Sequence, residues 1–264
     1  MTPELAEAVE DAYRVFARYD LRGGVTVCRC NVCVAPDMER QLNTVPLREM
    51  SALLLAEYTD SAHSFDGKVE NDLRHYLPRY FELIAQGNPP TNLDEETCLQ
   101  RLREAGYPRN WGPAEADAVD GFLVALLRER LATPFDVDAM GYTGSGEDKA
   151  ETVLCMAAFA GADFAPLLAA WHEDEGRTAT LHLANVIATA DWRLRQLRDT
   201  WWLHRKHVEQ AMQQVIQWLL RWETWERLEQ ACLREQDEGA AALLSRAEGL
   251  IAGAHLRRPD QPSR

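Results

Sequence analysis

The sequence predicts an all-α protein, a stack of antiparallel helical hairpins (HEAT-like) in two lobes. Three observations predict it. Apolar residues recur at three- and four-residue spacing along most of the 264 residues. Gly, Pro and capping residues divide the chain into about eleven segments of helical length. A run of alternating, β-branched character occurs at Val25-Thr26-Val27 and hardly elsewhere. Hydrophobic residues make up 46% of the chain, enough for a sizeable core.

Residues 3–19 read as the first helix. Pro3 suits its first turn, Glu4 and Glu7 suit its positive end, and Leu5, Val9, Tyr13 and Phe16 share a face. Gly23-Gly24 stops it, and Val25-Thr26-Val27 delivers the chain to a cysteine cluster. Pro36 starts a short helix. Ser51 is the expected N-cap for Leu53–Tyr58, and Ser61–Gly67 is a turn. Leu73, Tyr76, Leu77, Tyr80, Phe81 and Ile84 form the next apolar face, which Pro78 should kink or restart. Asp94–Ala105 and Pro113–Leu131 follow as helices, and Thr133–Gly146 is the longest irregular stretch.

Ser145 is the expected cap for Glu151–Ala160, and Phe164–Trp171 is the next helix. Leu181–Ala190 is then one helix, with Asp191 beginning another. Val208 to Cys232 reads as one long helix on the stripe Val208, Met212, Val215, Leu219 and Trp222. Ala240–Ala254 is the last. The division expected is an N-terminal lobe over 1–132, carrying the cysteines, and a Trp-rich lobe over 147–256, or else one continuous domain.

The formal net charge is −14. It is spread out, with 14 basic and 22 acidic residues up to position 132 and 14 and 20 after it. Such a field disfavours nucleic acid and anionic lipid and favours a protein partner with a basic surface. Solubility alone would also account for it. No apolar run reaches membrane-span length. Met1–Leu5 has neither the basic nor the apolar region of a signal peptide, so the expected location is cytoplasmic, with reduced cysteines.

Cys28-Arg29-Cys30-Asn31-Val32-Cys33 places three thiols within six residues. Cys30 and Cys33 have knuckle spacing, and Cys28 supplies a third sulfur for a tetrahedral zinc, in a structural role. His63, in a polar turn, is the first choice of fourth ligand, ahead of His75 and Cys98. The plain alternative is three inert thiols on an extended segment, with Cys28 and Cys30 on one side and Cys33 on the other. A redox Cys-x2-Cys is a third reading, without the βαβ setting it needs.

Other motifs fail on inspection. Asp136, Asp138, Gly141 and Glu147 match calcium-hand positions, but Met140 stands where an oxygen ligand belongs. Gly141–Gly146 is glycine-rich, yet Glu147 and Asp148 replace the Lys and Ser/Thr of a phosphate loop. His204 and His207 share a helix face beside Arg205 and Lys206, which reads as a solvated basic patch. No nucleophile elbow or zincin motif occurs, so no catalytic residue is assigned. Of the eight tryptophans, six follow residue 190. Most should be core; exposed ones would mark a binding face.

The cysteine stretch, with Pro46-Leu47-Arg48-Glu49, Ser61-Ala62-His63 and Leu77-Pro78-Arg79-Tyr80, resembles an uncharacterised family of bacterial cytosolic helical proteins. Phe164–Trp171 and Val215–Leu219 fit the same likeness. It implies no activity and no catalytic residue. The second half also resembles HEAT-type repeats, which serve as binding scaffolds, and in character the chain is similar to acidic, helical immunity proteins of bacterial toxin systems. The expected function is therefore a non-enzymatic binder that occludes a basic protein partner. The alternatives are a zinc-dependent enzyme with its site near Cys28–Cys33, or an adaptor unrelated to toxins.

Overall fold

The computed structural model describes residues 1–21, 23–28, 30, 33–62, 69–143, 150–200 and 206–256. It is 71% helical, about twice the helix content of an average globular domain. Among the described residues there are twelve α-helices and no named strand, so the chain is all-α. One isolated antiparallel bridge joins Val137 and Thr143. No helix among the described residues is long and apolar enough to cross a membrane. Two compact units emerge, one of Met1–Glu129 with Thr152–Asp163, the other of Arg130–Glu151 with Phe164–Arg264.

The first unit is built around α1 (Pro3–Phe16) and α4 (Val69–Ala85), which pack together. Thr2 caps α1, its side chain accepting from the Leu5 N–H. Leu5, Val9, Ala12 and Phe16 fall on one face and are all buried. Each large side chain among them is worth about 1.5–3 kcal/mol of burial. Between α1 and α4 lie α2 (Pro36–Thr44) and α3 (Ala52–Asp60), the latter capped by Ser51 Oγ, which accepts from Leu54 N–H at 3.1 Å.

Helix α4 runs through Pro78 as one element, so of the kink or restart suggested by the sequence the restart does not occur. Its neighbours decide this. Leu77, Tyr80 and Phe81 are fully buried, and Phe81 stacks on Phe122 with ring centroids 3.9 Å apart. Packing on both sides of the proline outweighs the roughly 3 kcal/mol it costs a helix. Asp94–Ala105 shrinks to a 3-10 turn at Glu95–Thr97 and α5 (Gln100–Glu104). Cys98, Leu99 and Leu102 are all buried there, and Leu99 leaves helical backbone to put them inside. Phe122 comes from α6 (Pro113–Ala132), and α7 (Ala150–Ala160) completes the set.

In the second unit α8 (Phe164–Glu173), α9 (Arg177–Thr200), α10 (Lys206–Leu219), α11 (Trp222–Arg234) and α12 (Glu238–Leu256) enclose a core around Trp171. Trp171 is fully buried, lies 5.6 Å from the Trp218 ring and donates its indole N–H to Ala179 O. Two expected boundaries move. Helix α9 is continuous across Asp191, because no Gly or Pro interrupts it and Thr189 Oγ1 bonds back to Asn185 O in helical fashion. The expected long helix Val208–Cys232 instead breaks at Arg221, whose backbone is extended. Thr224 Oγ1 bonds to Trp218 O and satisfies a carbonyl at the end of α10. Trp222 therefore leaves the α10 stripe and stands 55% exposed.

The turn at residues 137–143 is folded on Asp138, whose Oδ1 accepts from both Met140 N–H and Tyr142 N–H at 2.9 Å. That employment explains the acidic residue without calcium. Gly239 lets the start of α12 meet this turn, since a Cβ there would sit 2.4 Å from Asp138 O.

Candidate metal centre

The cysteines lie on the connection between α1 and α2, and tertiary contacts fix it on both sides. Val25 and Val34 are buried and bracket the cluster. Val25 N–H donates to Asn43 Oδ1 of α2 at 2.7 Å, and Thr26 N–H to Asp72 Oδ2 of α4 at 2.6 Å. Pro36 then opens α2. The connection is pinned on either side of the cluster, and among its described residues the three cysteines lie together.

The Sγ atoms of Cys28, Cys30 and Cys33 all lie within 4.8 Å of one another. None of the three is in a disulfide; Cys30 is exposed and the other two are half-buried. This convergence replaces the divergence expected of a flat extended strand. Tetrahedral zinc with thiolates at about 2.3 Å spaces its sulfurs about 3.8 Å apart. The trio is thus close enough to bind a metal ion with small side-chain adjustments.

A fourth contact comes from the turn after α3. The Ala62 backbone N–H donates to Cys33 sulfur and favours its thiolate. The sulfurs of Cys30 and Cys28 act the other way, and together with partial desolvation they leave the Cys33 thiol above its ordinary value. The groups that act most strongly on this sulfur are an amide and two further sulfurs, none of them a cation. A divalent metal would reverse that balance, since a coordinating thiol deprotonates outright. Ala62 is itself held from behind: the buried Arg101 donates to the carbonyl of Ser61 at 2.6 Å and lies over the Tyr58 ring.

Of the expected fourth ligands, His63 lies outside the described residues. His75 and Cys98 are not brought to the trio. His75 Nδ1 pairs with Tyr19 O at 3.0 Å, and its ring stands edge-on to Tyr76. Cys98 is buried, which pushes its thiol well up. Ser145, Glu147, Trp201, Trp202 and His204 also lie outside the described residues. Sequence reasoning missed the Ala62 amide and the Asp72 tether. Neither has a local signal, because each pairs residues far apart in the chain.

A second polar centre in this unit went unnoticed in the sequence. Glu115, near the start of α6, is 2% exposed. It accepts from Arg18, from Tyr19 Oη and from Gly112 N–H, and it pairs with Arg74 Nε at 3.5 Å. Burial pushes its carboxyl up, but the hydrogen bonds from Tyr19, Arg18 and Gly112, with the Arg74 charge, outweigh that and hold it below 4.5.

The chain matches no protein-family profile, no curated protein and no solved structure. Its site is therefore read from geometry and chemistry alone.

Proposed function

We propose that the chain is a zinc-stabilised, non-enzymatic, acidic protein-binding protein of the cytoplasm. The observation that carries the metal reading is that three cysteine sulfurs lie within 4.8 Å of one another. Cys28, Cys30 and Cys33 would supply three ligands. His63 would supply the fourth, a choice supported by its place directly after Ala62, whose amide already reaches Cys33. The ion's role would be structural: it ties the α1–α2 connection to the end of α3.

The net charge of −14, present in both halves, supports the binding reading. HEAT-like stacking of its helices would suit that role, since such scaffolds bind proteins. Its narrowest form is an immunity-type protein that occludes the basic active site of a bacterial toxin. Capture from the native host, followed by kinetics at two ionic strengths, tests it. Association should slow steeply as salt rises while dissociation changes little. Partner binding insensitive to salt would contradict it; charge reversal at Asp94-Glu95-Glu96 or Glu173-Asp174-Glu175 should slow association only where that turn lines the contact.

One observation favours a second reading. Cys30 is exposed, and a zinc with three protein ligands and one open position can activate water. Turnover of a small molecule that disappears in Cys30→Ser, with the fold intact, would select the zinc enzyme instead.

A further inference from the structure

The most exposed tryptophan described in the second unit does not stand alone. Trp222 opens α11 at 55% exposure, and Trp225 lies one turn on with its ring centroid 4.6 Å away, tilted by 38°. Each indole N–H is held by a carboxylate: Trp222 Nε1 donates to Glu226 Oε1 and Trp225 Nε1 to Glu248 Oε1 of α12, both at 2.7 Å. Glu229 continues the same face of α11. The central cation of this helix is turned away, since Arg227 donates to Thr180 Oγ1, Trp171 O and Asp174 O on the inner side.

Two adjoining, mutually tilted indoles edged by carboxylates are complementary to a cationic side chain. A cation over an indole is attracted by the negative face of the ring. An indole that donates to a carboxylate has a still more negative face, because the acceptor draws on the N–H proton and leaves more electron density on the ring. The carboxylates add direct charge attraction, and their hydrogen bonds to the indoles keep them at the rim of the aromatic surface, where they need no reordering. Tryptophan and arginine are also the residue types that most often anchor protein interfaces.

We propose that the Trp222–Trp225 face of α11 and α12 is the docking surface for a basic segment of a protein partner, with an arginine or lysine side chain lying over Trp222. This names the contact face for the acidic-binder reading above and rests on it.

The test uses the full chain with 15N-labelled tryptophan, titrated with a blocked tetra-arginine peptide at physiological salt. Tetra-glutamate is the control. The indole signals of Trp222 and Trp225 should shift saturably with tetra-arginine and not with tetra-glutamate. Trp222→Ala should weaken binding about tenfold. Glu226→Gln keeps an acceptor for the indole and removes the charge, so it should weaken binding a few-fold with the fold untouched. Equal affinity in Trp222→Ala and in Glu226→Gln would overturn the proposal. If binding were instead lost on charge reversal at Asp94-Glu95-Glu96, this face would be the wrong one while the acidic-binder reading stood. No saturable shift in the wild type would overturn the proposed face, leaving the wider reading to the salt-dependent kinetics of a captured partner.

Discussion

The Glu115 centre and the cysteine trio sit in the same unit and solve opposite electrostatic problems. Glu115 is almost fully buried, yet its counter-charges come from the chain: Arg18, Arg74, a tyrosine hydroxyl and an amide converge on one carboxylate. It is complete without a ligand. The cysteines are the reverse. Three thiols are held side by side, and what acts most on Cys33 is an amide and the other two sulfurs. A buried charge with partners reads as architecture; a cluster of like groups held together reads as a place for a cation. The difference separates a polar site that closes the fold from one that asks for an ion.

Removing the presumed ion should have the largest effect. Cys33→Ser, or treatment with a strong chelator, should lower the thermal midpoint by about 10 °C in calorimetry, an amount that about 4 kcal/mol accounts for in a chain of this size. The same chelator should leave the Cys33→Ser midpoint where it is. A wild-type midpoint indifferent to chelation would place the trio with the inert thiols.

Breaking Glu115 comes next. Glu115→Ala leaves Arg74 partly buried beside an empty site and should cost about 3 kcal/mol in urea unfolding, with metal content unchanged. The pH dependence has a definite sign. The folded-state pKa of Glu115 is depressed, so its stabilisation is present above 4.5 and is lost as pH falls through the lower folded value. Wild-type stability should therefore fall in that acidic window, and Glu115→Gln should flatten the fall. An unchanged acid profile in the variant would remove Glu115 from its central role.

The smallest effect sharpens the comparison. Asp72 holds the Thr26 N–H two residues before Cys28, so Asp72→Ala should weaken zinc binding about tenfold in a competition titration while the ion still binds, because it loosens the chain that positions the ligands. Glu115→Ala should leave that affinity alone. Equal zinc affinity in wild type and Asp72→Ala would mean that the connection holds its shape without α4.

Much of the fold could be read locally, because caps, spacing and burial agree over most helices. Pro3, Pro36 and Ser51 mark the starts of their helices as the chemistry of helix ends requires. The failures share a cause. The break at Arg221 has no Gly or Pro; it is fixed by Thr224 reaching back to Trp218 O, so periodicity ran straight through it and drew Trp222 into the core stripe. Pro78 was tolerated for the opposite reason, since burial on both sides overrode a strong local signal. At the site, the Cys-x-Cys-x2-Cys spacing was visible because all its sulfurs lie on one short segment. The Ala62 amide, the Asp72 tether and the Arg18, Tyr19 and Arg74 partners of Glu115 come from distant parts of the chain, and no window of sequence contains them. An acid in the first turn of α6 looks like an ordinary helix-dipole partner until α1 and α4 are packed against it.

The central claim is that three sulfurs meet because they share an ion. The most direct measurement is the metal content of the untagged full chain, by native mass spectrometry with elemental analysis, on wild type and Cys33→Ser side by side. The account predicts about one zinc per wild-type chain and essentially none in Cys33→Ser. A wild-type chain that carries no metal, takes up no added zinc and keeps its three thiols freely titratable would contradict it.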